Sequence, residues 1–292
     1  GVIAQPYPAK PVHIVTQFQA GSTGDVLARV MAGAISPLIG QPVIVDNRPG
    51  AGGVLAAETV ARAAPDGYTT LLATTGTQVM RVHLAKSTSF DPVRDFTPIT
   101  QVGESVTVIV AHPSVPANNI EELIDYARKN PGKIDFGTSG VGSPHHLSGE
   151  LLMMLTGINM VHVPYKATAQ ALQDVIAGQL RTSFAISGVV VPAMRAGKVK
   201  VLATVRDHRS RFLPDVPALG ETVKGFETPP SWSGYFAPAK MDAALLRRVH
   251  AEAVNALNAS ETRNKLAEGG FEVNTNASPE EFAAQVRRQI EL

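Results

Sequence analysis

Apolar residues along this chain fall into short runs that alternate with amphipathic stretches, and glycine or proline stands at most of the junctions. Val12–Phe18 reads as a buried strand. It breaks at Gln19-Ala-Gly-Ser-Thr-Gly-Asp25, after which Leu27, Val30, Met31, Ile35 and Leu38 recur at helical spacing as far as Gly40 and Pro42. Asp25 stands in the first turn of that helix, where the dipole favours a carboxylate, one turn from Arg29. Val43–Asp46 is the next strand, followed by Asn47–Gly53 and a helix through Arg62. Asp66-Gly67 turns the chain into the strand Tyr68–Thr74, and Thr75-Gly76 leads to another helix. This rhythm predicts an α/β fold with a parallel, doubly wound sheet and ligand sites at the carboxyl ends of its strands.

Phe90–Phe96 is polar and turn-like, and a domain crossing is expected shortly after it. The alternation then resumes: strand Val106–Ala111, helix Asn119–Lys129, strand Lys133–Phe136, a glycine-rich loop and a helix opened by Pro144. Strand Met160–Pro164, helix Ala167–Ala177, strand Thr182–Ile186, helix Val189–Arg195 and strand Lys200–Val205 follow. Two lobes of similar size are predicted, residues 1–103 with 236–292 and residues 104–235. After the strand-like Tyr235-Phe-Ala237 the chain is helical (Ala243–Leu257, Ser260–Glu268, Pro279–Ile290), with Val249, Val254 and Leu257 as a core-facing stripe. This tail is expected to pack on the first lobe.

The loop Phe136-Gly-Thr-Ser-Gly-Val-Gly-Ser-Pro-His-His-Leu147 carries the most chemistry. Ser143 is placed to cap the helix, with Pro144 at its first position, where a missing N–H costs nothing. Leu147, Leu151, Met154 and Ile158 are expected to form the buried face. Glycines permit close approach and the free amides of a helix start carry partial positive charge, so the loop suits a small anion. Gln19–Asp25 is a second strand–glycine loop–helix unit of the same kind.

Composition narrows the function. Lys and Arg number 26 against 25 Asp and Glu, a net charge of +1 with no basic stripe, which argues against a nucleic-acid partner. No apolar run approaches the roughly 18–20 residues of a membrane span. With no cysteine, disulfides, thiolate metal sites and a Cys nucleophile are excluded. No phosphate-loop signature occurs, and Gly137, Gly140 and Gly142 miss the dinucleotide spacing. Gly137-Thr-Ser139-Gly-Val141 fails the nucleophile-elbow pattern at its last position. His145 and His146 are adjacent, about 100° apart on a helix, and cannot chelate one metal as an i,i+4 pair would. Structural use is the better reading of the pair, with one of them hydrogen-bonding beside the loop. Nothing assembles an acid–base–nucleophile set. A two-lobed chain with two such loops and no catalytic constellation describes a protein that closes on a solute, with no cofactor or metal.

These residues resemble a known family. Tyr7–Ile14, Gln17–Asp25 with Ala28-Arg29, Val45–Gly53, Pro65–Tyr68, Asp91–Ile99, Ser139–Leu147, His162–Lys166, Ala196–Lys200 and Leu213–Ala218 are similar, in order, to the solute-binding receptors of tripartite tricarboxylate transporters, the Bug receptors. The resemblance implies a type II periplasmic-binding fold, two lobes with an interlobe ligand cleft and two crossing strands. It also implies a periplasmic location, with any signal peptide removed. The implied ligand is a small organic carboxylate, held by main-chain amides and waters. The implied partners are the permease subunits of such a transporter or a sensor protein, with the receptor a monomer. Carried over by position, the ligand-binding set comprises Phe18, Ala20, Gly21, Ser22, Thr23 and Asp25 in the first loop and Ser139, Gly140, Ser143 and His145 in the second. Thr168, Ala185, Ser187 and Gly188 complete it, and the amides of Ala20, Gly21 and Ser143 are the foremost donors.

The chain departs from the family at Gln17 and Ser22, where proline and glycine are usual. It departs again at Ala185, where amino-acid-binding relatives carry an aspartate for the ligand ammonium. Ala185, with Ser187 and Gly188, is expected to leave room for a larger distal group, so a dicarboxylate or aromatic carboxylate is favoured over an amino acid. The alternative of another class is the ligand-sensing domain of a transcription regulator.

Overall fold

The computed structural model describes residues 7–84, 89–210, 213–227 and 231–291. The strands are β1 (Val12–Thr16), β2 (Val43–Asn47), β3 (Thr69–Thr74), β4 (Phe96–Ser105), β5 (Thr107–Ala111), β6 (Asp135–Thr138), β7 (Val161–Pro164), β8 (Thr182–Ile186), β9 (Lys200–Thr204), β10 (Trp232–Pro238) and β11 (Phe271–Glu272). The helices are α1 (Thr23–Ile39), α2 (Val54–Ala61), α3 (Arg81–Leu84), α4 (Ile120–Lys129), α5 (Pro144–Thr156), α6 (Thr168–Ile176), α7 (Ser187–Arg195), α8 (Leu219–Thr222), α9 (Ala243–Asn258), α10 (Ser260–Glu268) and α11 (Pro279–Glu291). A π-turn, Gly76–Met80, runs into α3.

The chain forms two compact units, 1–104 with 231–292 and 105–230. The first is built on a six-stranded sheet in the order β11-β4-β10-β3-β1-β2. Its β1 lies parallel to β2 and β3, whereas β10 runs antiparallel to β3 and β4. The second unit holds a five-stranded sheet, β7-β6-β8-β5-β9, in which β6 is parallel to β7 and β8 while β5 is antiparallel to β8 and β9. Each sheet therefore contains the same β-α-β-α-β element with its first strand in the middle (2-1-3 and 7-6-8), flanked by an antiparallel strand. The sheets are mixed rather than wholly parallel as the rhythm alone suggested. No crossover helix delivers β5, which follows β4 after one residue, so nothing imposes a parallel direction on it.

β4 was not foreseen as a strand. Pro98, Thr100, Gln101 and Gly103 break its apolar pattern, yet Thr100 and Gln101 are buried. Their polar groups are satisfied by the C-terminal segment: Gln101 N–H donates to Asn276 Oδ1 (2.9 Å), Asn276 N–H to Thr100 Oγ1 (3.1 Å) and Gln285 Nε2 to Gln101 Oε1 (2.7 Å). β10 pairs from Trp232 onward, so the chain has rejoined the first sheet before the expected residue 236. The tail packs as expected on the first unit, with Val249, Ala253, Leu257 and Leu266 joining Ile14, Leu27, Met31 and Leu72 in one cluster. Val254 lies only half-buried beside this stripe.

The expected packing face of α5 holds at Leu151 and Ile158, which pack into the core of the second unit, and fails at the other two positions. Leu147 is partly exposed and Met154 is 72% exposed, while Ser148, Gly149 and Leu152 are buried. The helix comes close through its glycine: a Cβ at Gly149 would lie 2.4 Å from the Phe136 ring. Close approach over a small residue displaced the face that counting large apolar residues predicted.

Candidate functional site

In each unit the parallel strands end at one edge, where helices or turns begin. At the first of these edges, residues 17–25 form a loop shaped from within. Ser22 caps α1, its Oγ accepting from Asp25 N–H at 3.3 Å. The buried Asp25 carboxylate accepts from Gly21 N–H (2.9 Å), Arg29 Nε (2.9 Å) and Asn47 Nδ2 (2.8 Å). Burial alone would raise its pKa. The hydrogen bonds from Arg29, Gly21 and Asn47 outweigh that and hold it below the usual carboxylate range. Asn47 also donates to Phe18 O (3.0 Å), and the Phe18 ring lies across the helix start so closely that a Cβ at Gly24 would sit 2.2 Å from it.

This refines the expected donor set. The Gly21 amide is engaged by Asp25, and Ser22 N–H donates to Gln19 O (3.0 Å). The amides of Ala20, Thr23 and Gly24 are among those with no partner in the described residues, which suits them to an anion. Asp25, expected among the ligand contacts, already accepts three hydrogen bonds from the protein and organises the loop.

The second loop follows the same design after β6. Ser143 caps α5, its Oγ accepting from His146 N–H at 3.2 Å, with Pro144 opening the helix as expected. Ser143 N–H donates to Gly140 O (3.2 Å), Gly140 N–H to Thr138 Oγ1 (3.2 Å) and Gly142 N–H to His146 Nδ1 (3.1 Å). Among the described residues the amides of Ser139, Val141 and His145 are without partners. Ser143, a foremost donor in the sequence reading, thus has its amide engaged within the loop, while its Oγ is used there as an acceptor.

The two histidines do different work. His145 lies with Nδ1 2.8 Å from Ser139 Oγ and Nε2 3.5 Å from Thr107 Oγ1. The residue as a whole is partly accessible, but desolvation of its ring pushes the pKa down to about 4, so it is neutral near pH 7. His146 stacks on His162 with ring centroids 4.0 Å apart, and its Nε2 lies 3.3 Å from Glu150. His162 Nε2 meets Thr138 Oγ1 at 2.7 Å. Burial, then the neighbouring His146, lower the His162 pKa against an opposing effect of Glu150.

Thr168 is half-buried at the first position of α6, and Gly188 is half-buried in the first turn of α7. Ser187 opens α7; its amide donates to Val106 O (2.8 Å), and its buried Oγ has no partner. Ala185 is fully enclosed among Val108, Val190 and Ala193, so its small side chain completes the core of the second unit rather than opening space.

Sequence reading expected a helix after Thr75-Gly76 but named no site residue in it. Gln78 is fully buried with neither amide atom partnered, and Arg81 Nε is likewise buried and unpartnered. Thr77 Oγ1 lies 2.5 Å from Gln17 Oε1 and 3.2 Å from Gly52 O, tying this turn to the first loop. With Ser187 Oγ, these are the buried side-chain polar atoms left unsatisfied among the described residues. All of them follow the third strand of a β-α-β-α-β element. The available signal was a polar Gln and Arg directly after an apolar strand. No group of three or more His, Asp or Glu among the described residues could hold a metal.

Residues 27–289 match the model of the tripartite tricarboxylate transporter family receptor. The chain belongs to this family. It is 31% identical over 246 residues to protein BugT of Bordetella pertussis, covering 84% of this chain and 76% of BugT. Two solved structures are similar throughout. One is R. palustris Rpa4515 with adipate (TM-score 0.87, 31% identity, 98% of this chain and 95% of that one). The other is MatC from Rhodopseudomonas palustris with bound malate (TM-score 0.82, 31% identity, 98% of both). As a receptor of this family the chain has the two-lobed fold of periplasmic binding proteins and binds solute. No described helix is long and apolar enough to cross a membrane.

Proposed function

We propose that this receptor captures a small dicarboxylate in the periplasm and delivers it to the permease subunits of a tripartite transporter. The observation that carries the reading is the pair of capped helix starts, Ser22–Asp25 and Ser143–His146. Each displays unpartnered main-chain amides at the carboxyl edge of its own sheet. Such amides bind an anionic group without a neutralising side chain. We assign one ligand carboxylate to amides of this kind, with Ala20, Thr23 and Gly24 as the donors of the first loop and Ser139, Val141 and His145 as those of the second. Bound adipate and malate in the two similar structures support a dicarboxylate.

The loops also disfavour an amino acid. An ammonium group seeks a free carboxylate, and the first loop's only acid, Asp25, already accepts from Arg29, Gly21 and Asn47. Ala185 supplies none in the second unit. Burying an unpaired cation costs several kcal/mol. A thermal-shift screen of mono- and dicarboxylates tests the reading, since a ligand at about 100 times its Kd stabilises by about 2.7 kcal/mol. Competition calorimetry at pH 7 then compares succinate with aspartate. Tighter binding of succinate is expected; equal or tighter binding of aspartate, or no stabilisation by any carboxylate, contradicts the reading.

A further inference from the structure

The turn after β3 holds an unusual combination. Gln78 is fully buried, and both its Nε2 donor and its Oε1 acceptor are unpartnered among the described residues. A buried amide left so costs free energy that an apolar side chain of similar shape would not. Three residues on, Arg81 donates Nη1 to Ala51 O (3.1 Å), keeps Nε buried without a partner, and pairs with no acid among the described residues. The turn is a π-helical one, a geometry found often at functional sites. Thr77 fastens it to Gln17, one residue from Phe18, and to Gly52. The three unpartnered atoms therefore lie on a segment anchored to the first loop, within one unit.

We propose that Gln78 and Arg81 form a second recognition point for the far end of the ligand, and that this end carries a carboxylate with a neighbouring hydroxyl. The inference rests on the carboxylate-receptor reading above and extends it to the ligand's second group. The Nε edge of a guanidinium suits a carboxylate, which also accepts from Gln78 Nε2. That leaves Gln78 Oε1, which needs a donor. A carboxylate has none; a hydroxyl on the adjacent carbon does. An ammonium could donate as well, but Arg81 repels it. The matching class is a hydroxylated dicarboxylate.

The test is calorimetry on matched pairs differing by one hydroxyl, malate against succinate and 2-hydroxyadipate against adipate. At least one pair should show the hydroxylated member binding about tenfold or more tightly to the wild type. Gln78→Leu should reduce that ratio to less than about threefold, and Arg81→Met should weaken both members by about tenfold or more. Without ligand, Gln78→Leu should melt at the wild-type temperature or above, because it removes an unsatisfied buried amide. An unchanged ratio in Gln78→Leu, no preference for the hydroxyl in either pair, or a lower melting temperature for ligand-free Gln78→Leu overturns the proposal. Those results leave the receptor reading standing. Failure of every carboxylate to bind the wild type would instead remove the receptor reading, and this inference with it.

Discussion

The Gly21 amide donates to the Asp25 carboxylate across 2.9 Å, so the first loop is closed on itself by an acid in the first turn of the helix it precedes. The same carboxylate holds Arg29 and Asn47, and Asn47 reaches back to Phe18 O. The loop's shape is thus set by a buried charge and its donors, and a glycine with φ of +79° supplies the turn.

Asp25→Ala removes three charge-assisted hydrogen bonds and leaves the Gly21 and Asn47 donors without their acceptor. A stability loss of about 2–3 kcal/mol is expected in urea unfolding, with an unchanged m value. Carboxylate binding should weaken in parallel as Ala20, Thr23 and Gly24 lose their arrangement. Unchanged stability would show that Asp25 does not organise the loop.

Gly24→Ala puts a methyl where the Phe18 ring lies, 2.2 Å away. The ring must move, at an expected cost of about 1–3 kcal/mol by thermal or chemical unfolding. Because the ring covers the helix start, ligand affinity should fall too. Normal affinity in a folded Gly24→Ala protein would separate Phe18 from the site.

Acid should destabilise the protein in two stages. His145 is held near 4 against an ordinary 6.5, and His162 is lowered as well. A base with a depressed folded pKa contributes stability that is present in full above its unfolded pKa. That stability is lost as the pH falls from about 6.5 toward the folded value, since the unfolded chain takes up the proton first. Asp25, whose pKa is also lowered, keeps its contribution above its ordinary value of 3.8 and loses it only in stronger acid. Melting temperatures should therefore decline between about pH 6.5 and 4. His145→Gln, which retains a donor and an acceptor toward Ser139, should flatten that decline. An equal slope in both proteins would contradict the assignment of His145.

Much of the frame was legible in the sequence because the β-α-β-α-β elements carry strong punctuation. Ser22 and Ser143 stand where caps belong, and Gly40 and Gly157 close α1 and α5 in the left-handed conformation. Asp25 and Arg29 pair as their spacing suggested. What escaped depended on partners far along the chain. β4 hides its Thr100 and Gln101 among residues 276–285, some 175 positions away, which no local pattern reveals. The face of α5 follows from the fit of Gly149 against Phe136, a contact invisible to hydrophobic spacing. Within the site, the Ser143 cap was read correctly, whereas the Ser22 cap was not foreseen. Which amides remain available was not legible, because Asp25, Thr138 and His146 claim neighbouring donors through side-chain geometry.

The most direct test follows backbone amides during titration of a labelled protein with the carboxylate that stabilises it best in the screen. The resonances of Ala20, Thr23, Gly24, Ser139, Val141 and His145 should move together and saturate at the calorimetric Kd. Gly21, Gly140 and Gly142, whose amides already have partners, should move less. Saturable binding that leaves those six amides unshifted would contradict the claim that main-chain donors at the two capped helix starts hold the ligand.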